Sequence, residues 1–192
     1  ALQRSGGIDW GSNGPSAVDW NEVFELLAEE VIERERPAAL RLLRVTAPLD
    51  RFTPELCTDL GLADAGETIA DMVRRGLYLE RRPSTGDLAL TPLIRDFLLE
   101  RFPLEGPERE RVLLAAAEWH AAAGRPAEAL RLELQAGRPL EVAARLEAYG
   151  LPLAEAGNAE LVLEGIRFLP TSERSARRDL VEGAARMAVG DM

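Results

Sequence analysis

Residues 76–102, GLYLERRPSTGDLALTPLIRDFLLERF, constrain the fold more than any other stretch. Leu77, Tyr78 and Leu79, then Leu88, Ala89 and Leu90, are short apolar-rich runs. They flank residues 81–87, Arg-Arg-Pro-Ser-Thr-Gly-Asp, which carry the turn chemistry of a hairpin loop. Thr91 is then placed to N-cap a helix whose first residue is Pro92, where the missing N–H costs nothing. A hairpin set directly after helices is the wing of a winged helix, and almost no other β pattern occurs in the chain.

The residues before the wing supply the helices that such a domain needs. Asp19 with Glu22 forms a capping box, and Val23, Leu26, Leu27 and Val31 follow at helical spacing, which predicts a helix from 20 to about 34. Pro37 opens a second helix with Leu40 and Leu43 on its apolar side. Thr53 and Pro54 cap a short third one that Gly61 ends. Asp64 with Glu67 forms another capping box for a fourth, whose apolar positions Ile69, Met72 and Val73 precede the stop at Gly76. A winged-helix domain is therefore expected over residues 19–102. Residues 1–7 read as the frayed end of a preceding module and 8–16 as a linker, in which Trp10 either docks on a neighbour or stands exposed.

From Pro107 onward the pattern is helical only. Gly124-Arg125-Pro126 and Gly137-Arg138-Pro139 share one punctuation, a glycine to end a helix and a proline to begin the next, and Gly150-Leu151-Pro152 repeats it at the same 13-residue interval. Val112, Ala116, Trp119 and Ala123 stripe the first helix. Ala127, Leu130 and Leu134 stripe the second, and Val142, Ala143, Leu146 and Tyr149 the third. Leu161, Val162, Ile166 and Leu169 mark another that Pro170 ends, and a last helix is expected over 172–188. The fold class is thus mainly α: a winged helix with a short β-hairpin, then an α-α helical-repeat segment of tetratricopeptide-like type over 103–192. That array lacks a polar closing helix, so it is expected to continue beyond this chain.

Composition narrows the function classes. The net charge is −10, and residues 51–102 hold seven Arg against nine Asp and Glu, a net −2. A DNA-reading winged helix should be clearly basic, so no direct DNA binding is expected, although Arg74, Arg75, Arg81 and Arg82 are within reach of a backbone. No segment approaches the ~20 apolar residues of a membrane span. The single Cys57 excludes an intramolecular disulfide, and no signal peptide is visible, so the expected setting is the cytoplasm. All 23 basic residues are Arg, which reflects genome composition more than chemistry.

The runs VFELLAEEVIERERPAALRLLRVTAPLDRFTPELCTDL, GLYLERR, LTPLIRDFLLERF and AAAEWHAAAGRPAEALRLELQAG, in this order, resemble the middle of the MalT-like (LuxR-family) STAND signal-transduction ATPases that regulate transcription. The resemblance covers about residues 21–169. It implies a P-loop NTPase module before this chain, a winged helix, and then a superhelix of tetratricopeptide-like helix pairs that receives an effector. A DNA-binding helix-turn-helix often follows. ATP or ADP would be held by the parent protein and not by this fragment, and the partners implied are the NTPase and DNA-binding domains and an unknown effector or protein.

The resemblance also implies a site, and here the sequence departs from the family. Many relatives begin the helix after the wing with a His that reaches the β-phosphate of ADP, whereas this chain has Thr91 before Pro92-Leu93-Ile94-Arg95-Asp96. A hydroxyl can donate one hydrogen bond but lacks the reach and charge of an imidazole. The simpler account of Thr91 is a plain N-cap. Trp119 and Tyr149 are candidates for contacting a ligand or partner, although their helical stripes place them more naturally in a core.

No residues support catalysis. His120 has no Cys or carboxylate at ligand spacing and is expected to be a satisfied structural or surface residue, so no metal site is expected. Cys57 has no C-x-x-C partner and should be buried, and no G-x-x-x-x-G-K-[ST] occurs. The acids and arginines at 108–111 read as a solvated helix face. Two functions stay open: a regulatory fragment, with the winged helix as a joint, residues 103–106 as its hinge and the repeats as sensor; or a protein-interaction adaptor with no nucleotide control.

Overall fold

The chain takes up a helical architecture with one small sheet in a computed structural model that describes residues 34–76, 78–82, 86–170 and 175–190. The expected first helix and its capping box, the linker with Trp10, and positions Leu77 and Ser172 lie outside the described residues. Residues 36–192 form one compact unit.

Helix α1 (Pro37–Thr46) starts on a proline at its first position and buries Ala39, Leu42, Leu43 and Val45. Thr46, also buried, satisfies its hydroxyl by donating to Leu42 O at 2.9 Å. Helix α2 (Pro54–Asp59) is capped as its sequence implies: Thr53 Oγ1 accepts from the Leu56 N–H at 3.3 Å. Helix α3 (Ala65–Arg75) buries Ala65, Thr68, Ile69 and Met72, and Gly76 closes it at φ 65°. Two expectations for α3 are corrected. Val73 is 40% exposed, since it falls off the buried stripe. Asp64 occupies the N-cap position but makes no capping hydrogen bond; its φ −101°, ψ 23° departs from the extended backbone that lets a cap side chain reach forward.

The wing consists of β1 (Leu79–Arg81) and β2 (Leu88–Leu90), paired antiparallel with Leu79 opposite Leu90 and Arg81 opposite Leu88. The second strand lies where it was expected. The first is shifted from its expected Leu77–Leu79: Tyr78, at φ 66°, precedes it, and it runs on into Glu80 and into Arg81, which sequence assigned to the loop. A third extended position joins them: Phe52 and Leu88 exchange both backbone N–H···O bonds at 2.9 Å. This single bridge anchors the wing to the segment before α2, and Phe52 is fully buried beneath it.

Helix α4 (Pro92–Arg101) buries Ile94, Phe97 and Leu98. Arg95 fastens it to the end of α1 by donating from Nε to Ala47 O at 3.0 Å and pairing with Asp50 at 2.9 Å. The connector 102–105 is packed as well. Leu104 is buried, and Phe102 meets Phe97 edge-on at 5.6 Å.

The helical segment follows as α5 (Gly106–Ala122), α6 (Pro126–Ala136), α7 (Pro139–Leu153), α8 (Ala159–Phe168) and α9 (Ala176–Val189). Gly124 and Gly137 adopt φ 71° and 70°, and Pro126 and Pro139 start the next helices, as the two Gly-Arg-Pro triplets require. The third triplet does not act this way. Helix α7 runs straight through Gly150 and Pro152, and the chain turns only after a wide π-type turn over Ala154–Asn158, with Gly157 at φ 85°.

Gly150 instead permits close packing. A Cβ there would lie 2.6 Å from Val181 Cγ1 on α9. Leu130, Val142, Leu146, Leu153, Val162, Ile166, Val181 and Ala185 form the core of this block. The stripe of α5 is rotated from expectation: Val112, Leu113, Ala116, Ala117 and His120 are buried, Trp119 is half-buried and Ala123 is exposed.

Candidate functional site

Three places hold the residues singled out by sequence. The first is the start of α4. Thr91 occupies its N-cap position, with its N–H bound to Tyr78 O at 2.8 Å, yet its hydroxyl makes no capping hydrogen bond. The plain N-cap expected of Thr91 is corrected to that extent. Pro92 holds the preceding residue near polyproline geometry, here φ −59° and ψ 141°, and Thr91 caps by position alone. Leu90 and Pro92, on either side of it, line an open cleft together with Arg51, Arg81, Arg82 and Arg95. Acids temper that charge, since Asp50, Glu80 and Asp96 line the same cleft.

The arginines that could have met a DNA backbone from α3 are engaged with an acid. Asp71 pairs with Arg74 at 2.8 Å, with Arg75 at 3.4 Å and with Arg36 at 3.5 Å. In the wing, Arg81 and Arg82 are exposed, and Arg81 donates to Gly86 O at 3.1 Å across the hairpin.

The second place is the junction between wing and helical segment, where sequence singled out Trp119 and His120. Arg125, in the turn after α5, lies 4.4 Å over the Trp119 ring, and Trp119 meets His120 edge-on at 5.1 Å. Trp119 is therefore spoken for by an intramolecular cation–π contact. The same Arg125 donates from Nη1 to the carboxylate of Asp87, at the base of β2, at 2.9 Å. Arg51, ahead of α2, approaches Asp87 at 3.9 Å and reaches Glu128 on α6 at 3.5 Å. Sequence reasoning missed this cluster because its members are separated by tens of residues.

His120 is only 2% exposed, so its structural placement agrees with expectation, but it is not satisfied: Nδ1 has no hydrogen-bond partner. Burial, followed by the positive charges of Arg125 and Arg51, pushes its pKa down from 6.5 to about 4 against the opposing pull of Glu128 and Asp87. The ring is neutral at neutral pH. Among the described residues there is no group of three or more His, Cys, Asp or Glu that could hold a metal ion.

The third place is α7. Tyr149 is 41% exposed, which corrects the core placement implied by its stripe. Arg145, one turn earlier, lies 5.9 Å from the Tyr149 ring and donates to the Glu133 carboxylate on α6 from Nη2 at 2.6 Å and from Nε at 3.1 and 3.3 Å. Glu133 is nearly fully buried, and burial raises its pKa while Arg145 opposes that shift. Arg131, Gln135, Asn158, Glu164, Arg167 and Phe168 line an open groove between α6 and α8. Cys57, by contrast, is fully buried, and desolvation pushes its thiol up to about 12, which makes it inert. The charged run at 108–111 is not wholly solvated: Glu110 pairs with Arg138, and Arg109 donates to Gln135 O at 2.9 Å.

Residues 28–110 match the family model of the MalT winged helix domain. The match takes in α1 to α4, the whole wing, the connector and the first residues of α5. This part of the chain is a MalT-like winged-helix region. None of the described helices is long and apolar enough to cross a membrane.

Proposed function

We propose that this chain, built on a MalT-like winged helix, is the non-catalytic middle of a multidomain transcription regulator of the cytoplasm. The winged helix serves as the joint to a nucleotide-binding module, and the helical segment, as tetratricopeptide-like repeats, senses an effector or partner. Domains would divide as residues 19–102 and 103–192, with residues 1–18 leading from the preceding module. The match of residues 28–110 carries this reading. Thr91 is compatible with it: its hydroxyl caps no helix N–H and so keeps one hydrogen bond to offer a phosphate, with less reach and no charge compared with the imidazole of the relatives. An effector acts on such a joint only through its differential affinity for two arrangements.

A second reading, a protein-interaction adaptor, is favoured by two exposed aromatic rings, Phe168 lining the α6–α8 groove and Tyr149 on α7, at 40% and 41% exposure. Aromatic rings open to solvent on a helical array suit a peptide partner. The coding region on both sides of this chain separates the two. A P-loop upstream with a helix-turn-helix elsewhere is the outcome expected of the regulator. Neither motif on either side would leave the adaptor.

A further inference from the structure

The base of the wing and the segment before α2 meet the α5–α6 helix pair through charged side chains. Asp87 stands at the base of the wing with its side chain 8% exposed, and its carboxylate faces two guanidinium groups, Arg125 from the α5–α6 turn and Arg51 from the segment before α2. Arg51 carries the contact on to Glu128 in the first turn of α6. Arg125 is held in place from both ends, since its N–H binds His120 O at 2.9 Å and its guanidinium stacks on Trp119.

We infer that Asp87 is the keystone of a releasable polar lock that holds the winged helix against the α5–α6 helix pair. Two observations set its strength. Two guanidinium groups face two carboxylates, and of the four side chains Asp87 is the most buried, at 8% exposed against 22–24% for the others. Yet the network is not fully bonded: Arg51 Nε, Arg125 Nε and His120 Nδ1 are buried without partners. A buried ion pair gains little over solvated charges, and unpaired donors beside it offset more of that gain. These directional bonds add to the packing of α5, which buries Val112, Leu113, Ala116 and Ala117, and polar contacts between blocks of one chain are those that open. Removing Asp87 leaves Arg51 and Arg125 facing each other across the junction with Glu128 alone to compensate. The lock stands whether or not a nucleotide module acts on the wing.

The test is a distance measurement on the 192-residue chain. Spin labels go on cysteines introduced at two exposed alanines, Ala70→Cys on α3 and Ala144→Cys on α7. Cys57, buried and with its thiol held protonated, stays unlabelled. Pulsed dipolar spectroscopy should give one narrow distance in the parent chain. Asp87→Asn and Arg125→Gln should each add a second, longer distance while the far-ultraviolet circular dichroism is unchanged, and the double variant should shift the distribution no further than the larger single one. A narrow, unshifted distance in both single variants overturns the lock, and so does full additivity in the double variant. Should Asp87→Asn lose helicity, Arg125→Gln, in an irregular turn, decides alone.

Discussion

His120 shows how much one side chain can reveal. As the only histidine without ligand partners it reads from sequence as structural, and it is; what sequence cannot show is that Arg51 and Asp87, far away in the chain, come to surround it. Its pKa of about 4 in the folded chain lies below the 6.5 of the free side chain, so between these values the unfolded chain binds a proton that the native one refuses. Its contribution to stability is full above about pH 6.5 and is lost as pH falls toward 4, by up to about 3 kcal/mol. Urea unfolding of the parent chain and of His120→Phe across this range isolates the effect as the difference between two profiles. The expected result is a gap that changes by about that amount; parallel profiles would show that the ring is not kept neutral by its surroundings. Thr91 and Tyr149 were legible as positions but not as environments. A cap preference does not fix a hydroxyl's partner, and a helical stripe does not reveal that Arg145 turns toward Glu133 and leaves Tyr149 at the rim.

At the level of elements, the Gly-Arg-Pro triplets ended two helices as written because Gly124 and Gly137 take the left-handed backbone that stops a helix. Gly150, with Pro152 at the same spacing, serves a different end. Its role is set by α9, which crosses so closely that a Cβ would collide with Val181, a stiff β-branched residue. Gly150→Ala therefore gains about 1 kcal/mol of helix propensity but forces the α7–α9 contact apart, at about 1–3 kcal/mol. The expected net effect is a lowered thermal midpoint, restored at least in part by adding Val181→Ala. A raised midpoint in Gly150→Ala alone would mean that α9 does not pack where it is described. The wing illustrates the converse limit. Its second strand was legible from three apolar letters, whereas the Phe52 bridge, one residue long, leaves no periodicity to detect.

For the whole molecule, the order of helices, wing and helical block was legible because each depends on local signals: prolines at helix starts, glycines at ends, and one turn-rich loop. The junction was not, since the ion pairs on Asp87 join it to residues 36 and 38 positions away in sequence. The connector at residues 103–106, expected as a free hinge, is packed through Leu104 and bypassed by the Asp87 cluster, so motion between the blocks must break that cluster as well as bend the connector. If the winged helix is a joint answering to nucleotide, the response should appear at the wing and at α4. Hydrogen–deuterium exchange on the full-length parent protein, with ADP and then with a non-hydrolysable ATP analogue verified as bound, measures this directly. Altered protection of residues 79–101 on changing the nucleotide is the predicted result, and identical protection there in both nucleotide states would contradict the role of the winged helix as a joint.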